Sequence, residues 1–72
     1  MFALNKSYML NIANLNTTND EMKIRNHFMD IRGVEKVDIV LELKIVTLHY
    51  NEEIGSPHKL LTAFSDIGYE VR

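Results

Sequence analysis

Between two stretches with helical spacing of apolar residues, the sequence sets two alternating runs back to back. This feature constrains the fold most. In "VEKVDIVLELKIVTLHY", Val34 to Tyr50, the apolar residues alternate at Val37, Ile39 and Leu41 and again at Val46, Leu48 and Tyr50. Period two is the pattern of a half-buried strand. Two such runs with no helix between them predict an antiparallel hairpin. Setting Val37 against Tyr50 and Leu41 against Val46 leaves Glu42 to Ile45 as the turn, and no Asn-Gly or Asp-Gly pair marks it.

The flanks supply the rest. "SYMLNIA", Ser7 to Ala13, alternates, with Tyr8, Leu10 and Ile12 on one face and Met9 and Asn11 on the other. Ile24, Phe28 and Ile31 are spaced four and three, a helical stripe. Thr18 with Glu21 forms a capping-box pattern at its start, and Thr17 with Asp20 offers the same one residue earlier. Gly33 is placed to stop this helix. After the hairpin, Ser56 and Pro57 are a helix start; Leu60, Phe64 and Ile67 form the stripe, and Gly68 the stop. "YEVR" reads as a last short strand. "DIRGVE" and "DIGYE" echo one another at the two helix ends. The order strand, helix, strand, strand, helix, strand predicts a ferredoxin-like α+β sandwich. A four-stranded antiparallel sheet carries both helices on one face and leaves the other open.

At 72 residues the chain holds one domain, 1–72, with a small core. Hydrophobic residues at 46% argue against disorder, and a net charge of −2 gives no general pull toward nucleic acid or anionic membrane. The absence of cysteine removes disulfides, thiolate metal sites and thiol catalysis. "MFALNKSYML" has no basic region followed by a long apolar one, and no run is long enough to span a membrane. The expected location is the cytoplasm, without direct membrane insertion.

Chemistry-bearing residues are few. His27, His49 and His58 have no zinc-ligand spacing and read as surface residues; His49 would stand opposite Asp38 on the open sheet face. Ser7, Ser56 and Ser65 fall at a strand start, a cap and a helix end, so no serine, histidine and acid form a nucleophile set. No glycine-rich phosphate loop is present. The outward strand positions Met9, Asn11, Ile45, Thr47 and His49 include no aromatic, which argues against single-stranded RNA binding. Met22 and Met29, seven apart beside the helical stripe, read as packing rather than as thioether ligands for Cu(I). Asp20 and Glu21 suit the helix N-terminus, but one turn offers too few oxygens to hold a hard cation tightly.

The anchors Leu10, Ile12, Leu15, Ile24, Phe28 and Ile31, then "GVEKVDIVLELKIVTLHYNEE" and "LLTAFSDIGYEV", together resemble the heavy-metal-associated domain of copper chaperones and metal-transporting P-type ATPases. In that family a strand leads into Gly-Met-Thr-Cys-x-x-Cys. A helix, Gly-Val-x-x-Val-x-Val, a strand ending in Tyr-Asp and an Ala-Ile-x-x-x-Gly-Tyr ending follow. The resemblance covers about residues 8–71. Gly33, Val34, Val37, Ile39, Leu48, Tyr50, Ala63, Gly68 and Tyr69 match in one register.

The resemblance departs at the metal loop. Counted back from Gly33, the family's glycine falls on Asn14, its methionine on Leu15, its threonine on Asn16 and its two cysteines on Thr17 and Asp20. A hydroxyl and a carboxylate do not replace two thiolates for Cu(I). The resemblance therefore implies a degenerate member with no confident metal ligand and no cofactor. It implies a role in copper-like metal homeostasis or transport through protein contacts and not through catalysis. The expected interaction loop comprises Asn14, Leu15, Asn16, Thr17, Thr18, Asp20, Gly68 and Tyr69. The expected partner is a protein, a metal-transporting ATPase or related domain. A second expectation is a structural or oligomerising domain, a homodimer through Met9, Val40 and Ile45 on the open face. A third, a small phosphate-handling enzyme of acylphosphatase type, lacks the arginine such a loop needs.

Overall fold

The computed structural model describes residues 5–72. Of the N-terminal stretch "MFALNKSYML" read above, residues 1–4 lie outside the described residues. The elements run β1 (Asn5–Asn11), α1 (Thr18–Met29), β2 (Val34–Val40), a short 3-10 turn (Leu41–Leu43), β3 (Ile45–Asn51) and α2 (Pro57–Asp66). The sheet is antiparallel, in the order β1-β3-β2.

The fourth predicted strand is not formed. "YEVR" contributes a single antiparallel bridge, Val71 opposite Ile12. Ala13 N donates to Glu70 O and Arg72 N donates to Asn11 O, each at 2.8 Å. The bridge does not continue toward Tyr69 because the Asn14 side chain takes the backbone there. Asn14 Nδ2 donates to Gly68 O and Asn14 Oδ1 accepts from Glu70 N, both at 2.9 Å. The described residues therefore form a sheet of three strands, and the backbone of residues 70–72 pairs with residues 11–13 at the end of β1.

The hairpin register also differs from the expected one. Val37 faces Leu48 and Ile39 faces Val46, and Val40 opposite Ile45 closes the ladder. The loop is thus residues 41–44, a 3-10 turn closed by Lys44 in the left-handed region at φ 57°. The slip is two residues, so every side chain keeps its predicted face. A bulge between Val34 and Lys36 sets Val34 opposite Tyr50.

The face that carries Leu10, Ile12, Val37, Val46, Leu48 and Tyr50 is buried under the two helices. Ile24 and Phe28 of α1 and Leu60, Ala63 and Phe64 of α2 complete the core, and the Phe28 and Phe64 rings meet at 4.3 Å. Fully burying side chains of this size is worth about 1.5–3 kcal/mol each, and these contacts hold the layers together. Met22 and Met29 do not pack there: they are 60% and 48% exposed. Met22 lies two residues, or about 200° of helix, from the buried Ile24.

Both helix starts follow capping chemistry. Ser56 Oγ accepts from Lys59 N, with Pro57 at the first helical position. Thr17, not Thr18, caps α1. Glu21, the partner that a Thr18 box would need, turns instead toward Arg25 at 3.4 Å. At its end α2 closes in a Schellman motif. Gly68 takes φ 82°, Gly68 N donates to Ser65 O, and Tyr69 N donates to Phe64 O.

Candidate functional site

The β1–α1 loop, the hairpin turn and the α2 exit gather at one end of the sheet. Ile12 N donates to Lys44 O at 2.8 Å and Lys44 Nζ donates to Ala13 O at 3.3 Å, which ties the loop to the hairpin. Leu15 is fully buried and anchors the loop from inside. Asn14 ties it to the α2 exit through Gly68 and Glu70.

Asp20 is the hub of this end. Its backbone N–H donates to Thr17 Oγ1 at 3.1 Å. Its Oδ2 accepts from the backbone N–H groups of Asn16 and Thr17, both at 3.0 Å. Thr17 and Asp20 therefore form a complete capping box. Oδ1 accepts from the Tyr69 hydroxyl at 2.7 Å. These donors favour the charged carboxylate, the Tyr69 hydroxyl most of all, and hold the Asp20 pKa down at about 2. Tyr69 is pushed up to about 12, first by burial and then by its bond to the Asp20 carboxylate. The Lys23 ammonium lies 5.8 Å from the Tyr69 ring centroid, within cation–π range.

Of the residues the sequence singled out, the fold brings Asn14, Leu15, Thr17, Asp20, Gly68 and Tyr69 into one connected set. Asn16 joins through its backbone N–H alone. Thr18 is exposed, the first residue of α1, and caps nothing. Sequence reasoning missed Lys23, Lys44 and Glu70. Lys23 follows Asp20 by three residues, a helical neighbour spacing that could have pointed to it. No spacing signals the Lys44 contact with Ala13.

The donor set does not suit a soft metal. Asp20 has both carboxylate oxygens engaged, the Thr17 hydroxyl accepts the cap bond, and the chain holds no thiol. Among the described residues no group of three or more His, Cys, Asp or Glu side chains is placed to hold a metal ion.

A second cluster lies on the open sheet face, where a serine, a histidine and an acid come together that the sequence did not bring into one group. Ser7 Oγ is 3.1 Å from His49 Nδ1, and His49 Nε2 is 2.9 Å from Asp38 Oδ2. His49 and Asp38 meet diagonally, since Lys36 is the residue opposite His49. The three side chains cross three strands in contact with water, and Asp38 also pairs with Lys36 at 3.8 Å. They sit on a strand face and not in a cleft. The arrangement is a cross-strand polar ladder of the kind that steadies a sheet by a fraction of a kcal/mol.

No sequence-family model matches the chain, and no curated protein matches it. Solved structures do. Oxidized MerP from Ralstonia metallidurans CH34 superposes with a TM-score of 0.87 over 94% of each chain at 20% identity. The CopZ metallochaperone gives 0.88 over 93% of this chain and all of the other at 22% identity. The N-terminal domain of a potential copper-translocating P-type ATPase from Bacillus subtilis, in its Cu(I)-loaded state, gives 0.87 at 22% identity, covering 94% of this chain and 85% of that one. At such identities the likeness establishes the fold: this chain folds as these metallochaperone and ATPase metal-binding domains do.

Proposed function

We propose that this protein is a binding module of heavy-metal-associated type that has given up soft-metal ligation. It acts in copper-like metal homeostasis or transport through protein contacts. The contact surface is the end of the fold where residues 14–20 meet Gly68 and Tyr69. The partner is a protein, either a metal-transporting ATPase or a domain related to this one, met in the cytoplasm. One observation carries this reading. The two positions that correspond to the thiolates are Thr17 and Asp20, and every polar atom of their side chains is spent on the helix cap or on Tyr69. The loop's shape is held by the protein's own hydrogen bonds, so it serves as a surface without a metal to order it.

The test is competition against a Cu(I) chelator. The wild-type chain is expected to bind Cu(I) no more tightly than a control protein free of cysteine and methionine. Tight retention would sink the proposal. Thr17→Cys combined with Asp20→Cys is expected to create a Cu(I) site in a folded domain. A folded double variant that ignores Cu(I) would mean that the loop no longer has the family's shape.

A second reading, a homodimerising structural domain, has its own support. Met9 and Val40 on the open face are 66% and 47% exposed, beside a half-buried Ile45. Mass measured against concentration, with Val40→Lys as the disrupting variant, tests it.

A further inference from the structure

The two outer strands treat their free edges differently. On β2, Arg25 Nη1 reaches over to donate to Val37 O at 2.8 Å. A bulge interrupts the same strand between Val34 and Lys36, and Glu35 and Lys36 add charge. Each of these is a recognised way to keep a sheet edge from taking another strand. On β1 the partner side is fixed by Ile12 N donating to Lys44 O and the outer side by Ala13 N donating to Glu70 O. Backbone groups alternate sides along a strand, so Asn5, Ser7 and Met9 point their N–H and C=O outward. Residues 70–72 reach only Asn11 to Ala13. Among the described residues nothing pairs with the outer edge of Asn5 to Met9. Its single charge, Lys6, is already turned to Glu52 at 3.8 Å.

We propose that this edge pairs with the same edge of a second copy of this chain, antiparallel about a two-fold axis at Ser7. The register follows from what faces what. Outward-pointing residues must pair with outward-pointing residues. Centring the axis between two Lys6 residues sets like charges directly opposite, which is destabilising. Centring it on Tyr8 drives Asn5 against Asn11, whose carbonyl already serves Arg72. Centring it on Ser7 pairs Ser7 with Ser7 and Asn5 with Met9, uses the whole open edge and meets neither obstacle. It also lays each Lys6 stem beside the partner's half-buried Tyr8 on the helix-bearing face. The two three-stranded sheets become one continuous sheet, and both loop ends stay outside the interface. A second copy is favoured over an unrelated peptide because the described edge pairs with itself about Ser7 without opposing like charges. This goes beyond the proposed function and does not depend on it.

The 72-residue chain is tested directly. Sedimentation equilibrium from micromolar to millimolar protein is expected to show the mass rising from 8.4 kDa toward twice that value. Ser7→Pro removes one outward N–H and the exposed Ser7 Oγ contact with His49 but none of the backbone bonds to β3, and proline is tolerated on strand edges. It is expected to keep the fold and remain monomeric. Should Ser7→Pro fail to fold, Ser7→Cys decides. Hydrogen-bonded antiparallel pairs stand about 5.5 Å apart at Cα, within disulfide reach of roughly 4.4–6.8 Å, and the chain has no other cysteine. Mild oxidation is expected to cross-link Ser7→Cys at least about tenfold faster than Asn26→Cys, a control on α1, given that reach. A chain monomeric throughout overturns the proposal. So does a dimer that survives Ser7→Pro but is lost in Val40→Lys, or cross-linking of Ser7→Cys no faster than the control.

Discussion

Gly33 and Gly68 both hold positive φ, 100° and 82°, where an L side chain is strained. A methyl group at the two positions would meet different surroundings. At Gly68 a Cβ finds nothing within 4 Å. At Gly33 it would stand 3.0 Å from Ile54 Cγ2 and 3.1 Å from Gly55 N. The Gly68→Ala change therefore costs backbone strain alone, about 1–2 kcal/mol. The lost freedom of the unfolded chain offsets this by about 0.4–1 kcal/mol, leaving a net cost near 1 kcal/mol. Gly33→Ala carries the same strain and adds overpacking of about 1–3 kcal/mol. The Ile54 side chain can turn aside, but Gly55 N is backbone. It can move only with the turn in which Gly55 N and Ile54 N both donate to Asn51 O. Asn51 N in turn donates to Gly33 O at 2.7 Å, so the clash works against the bond that joins Gly33 to this turn.

The expected costs are about 1 kcal/mol for Gly68→Ala and about 2–4 kcal/mol for Gly33→Ala. In a domain of this size 1 kcal/mol moves the melting temperature by about 4–8 °C. Thermal and urea unfolding of the two variants beside the wild type would separate them clearly. Equal losses, or a larger loss at Gly68, would refute the claim that crowding against Gly55 distinguishes the two turns.

Three further outcomes are expected. Tyr69→Phe removes the leading cause of the low Asp20 pKa, so NMR titration of the Asp20 carboxyl should move from about 2 toward 3.8. The Asp20 contribution to stability is complete above pH 3.8 and is lost as pH falls through about 2, and the variant should narrow that window. Tyr69 works in the opposite direction. Its raised pKa contributes stability that is complete below pH 10.0 and is lost as pH rises through about 12, a dependence that Tyr69→Phe should abolish. Leu15→Ala empties a fully buried position and should cost about 2–5 kcal/mol in urea unfolding, although Leu15 lies in a loop. Asp38→Ala breaks the exposed chain to His49 and should change stability by no more than about 0.5 kcal/mol. A larger loss would give that cluster a role that its exposure does not suggest.

The fold was legible wherever local chemistry decides. Ser56 and Pro57 start α2 as their side chains require, and Gly68 ends it at positive φ. The apolar stripes land on the buried faces because period-two and helical spacings are geometric facts of the backbone. Tertiary competition was not legible. "YEVR" has strand composition, yet Asn14 claims the backbone it would need on one side. The hairpin register differs by two residues because the turn takes residues 41–44 with Lys44 left-handed, and that turn leaves no mark such as Asn-Gly. Thr18 with Glu21 is as good a box in sequence as Thr17 with Asp20. What separates them is Arg25, which draws Glu21 away. Within the candidate site, Tyr69 could be placed by its register after Gly68, but no spacing predicts that its hydroxyl ends on Asp20, 49 residues earlier.

The Tyr69 bond also bears on how the loop is held in a chain without thiols. A metal held by two residues of one loop would tie the loop to the helix N-terminus. Here Thr17 and Asp20 make that tie by themselves, through the capping box. Leu15 fixes the loop to the core, Lys44 to the hairpin and Asn14 to the α2 exit. Asp20 then reaches across to Tyr69, linking the first helical turn to the segment after the second helix. Each constraint is made of protein atoms and none needs a proton or an ion from solution near neutral pH, since the Asp20 carboxylate stays charged down to about pH 2. Residues 14–20, Gly68 and Tyr69 are thus held in place by the protein's own bonds. A preorganised contact surface loses less entropy on binding than a loop that must first be fixed by its ligand. On the proposed reading, a loop held in this way would keep a docking geometry without a metal.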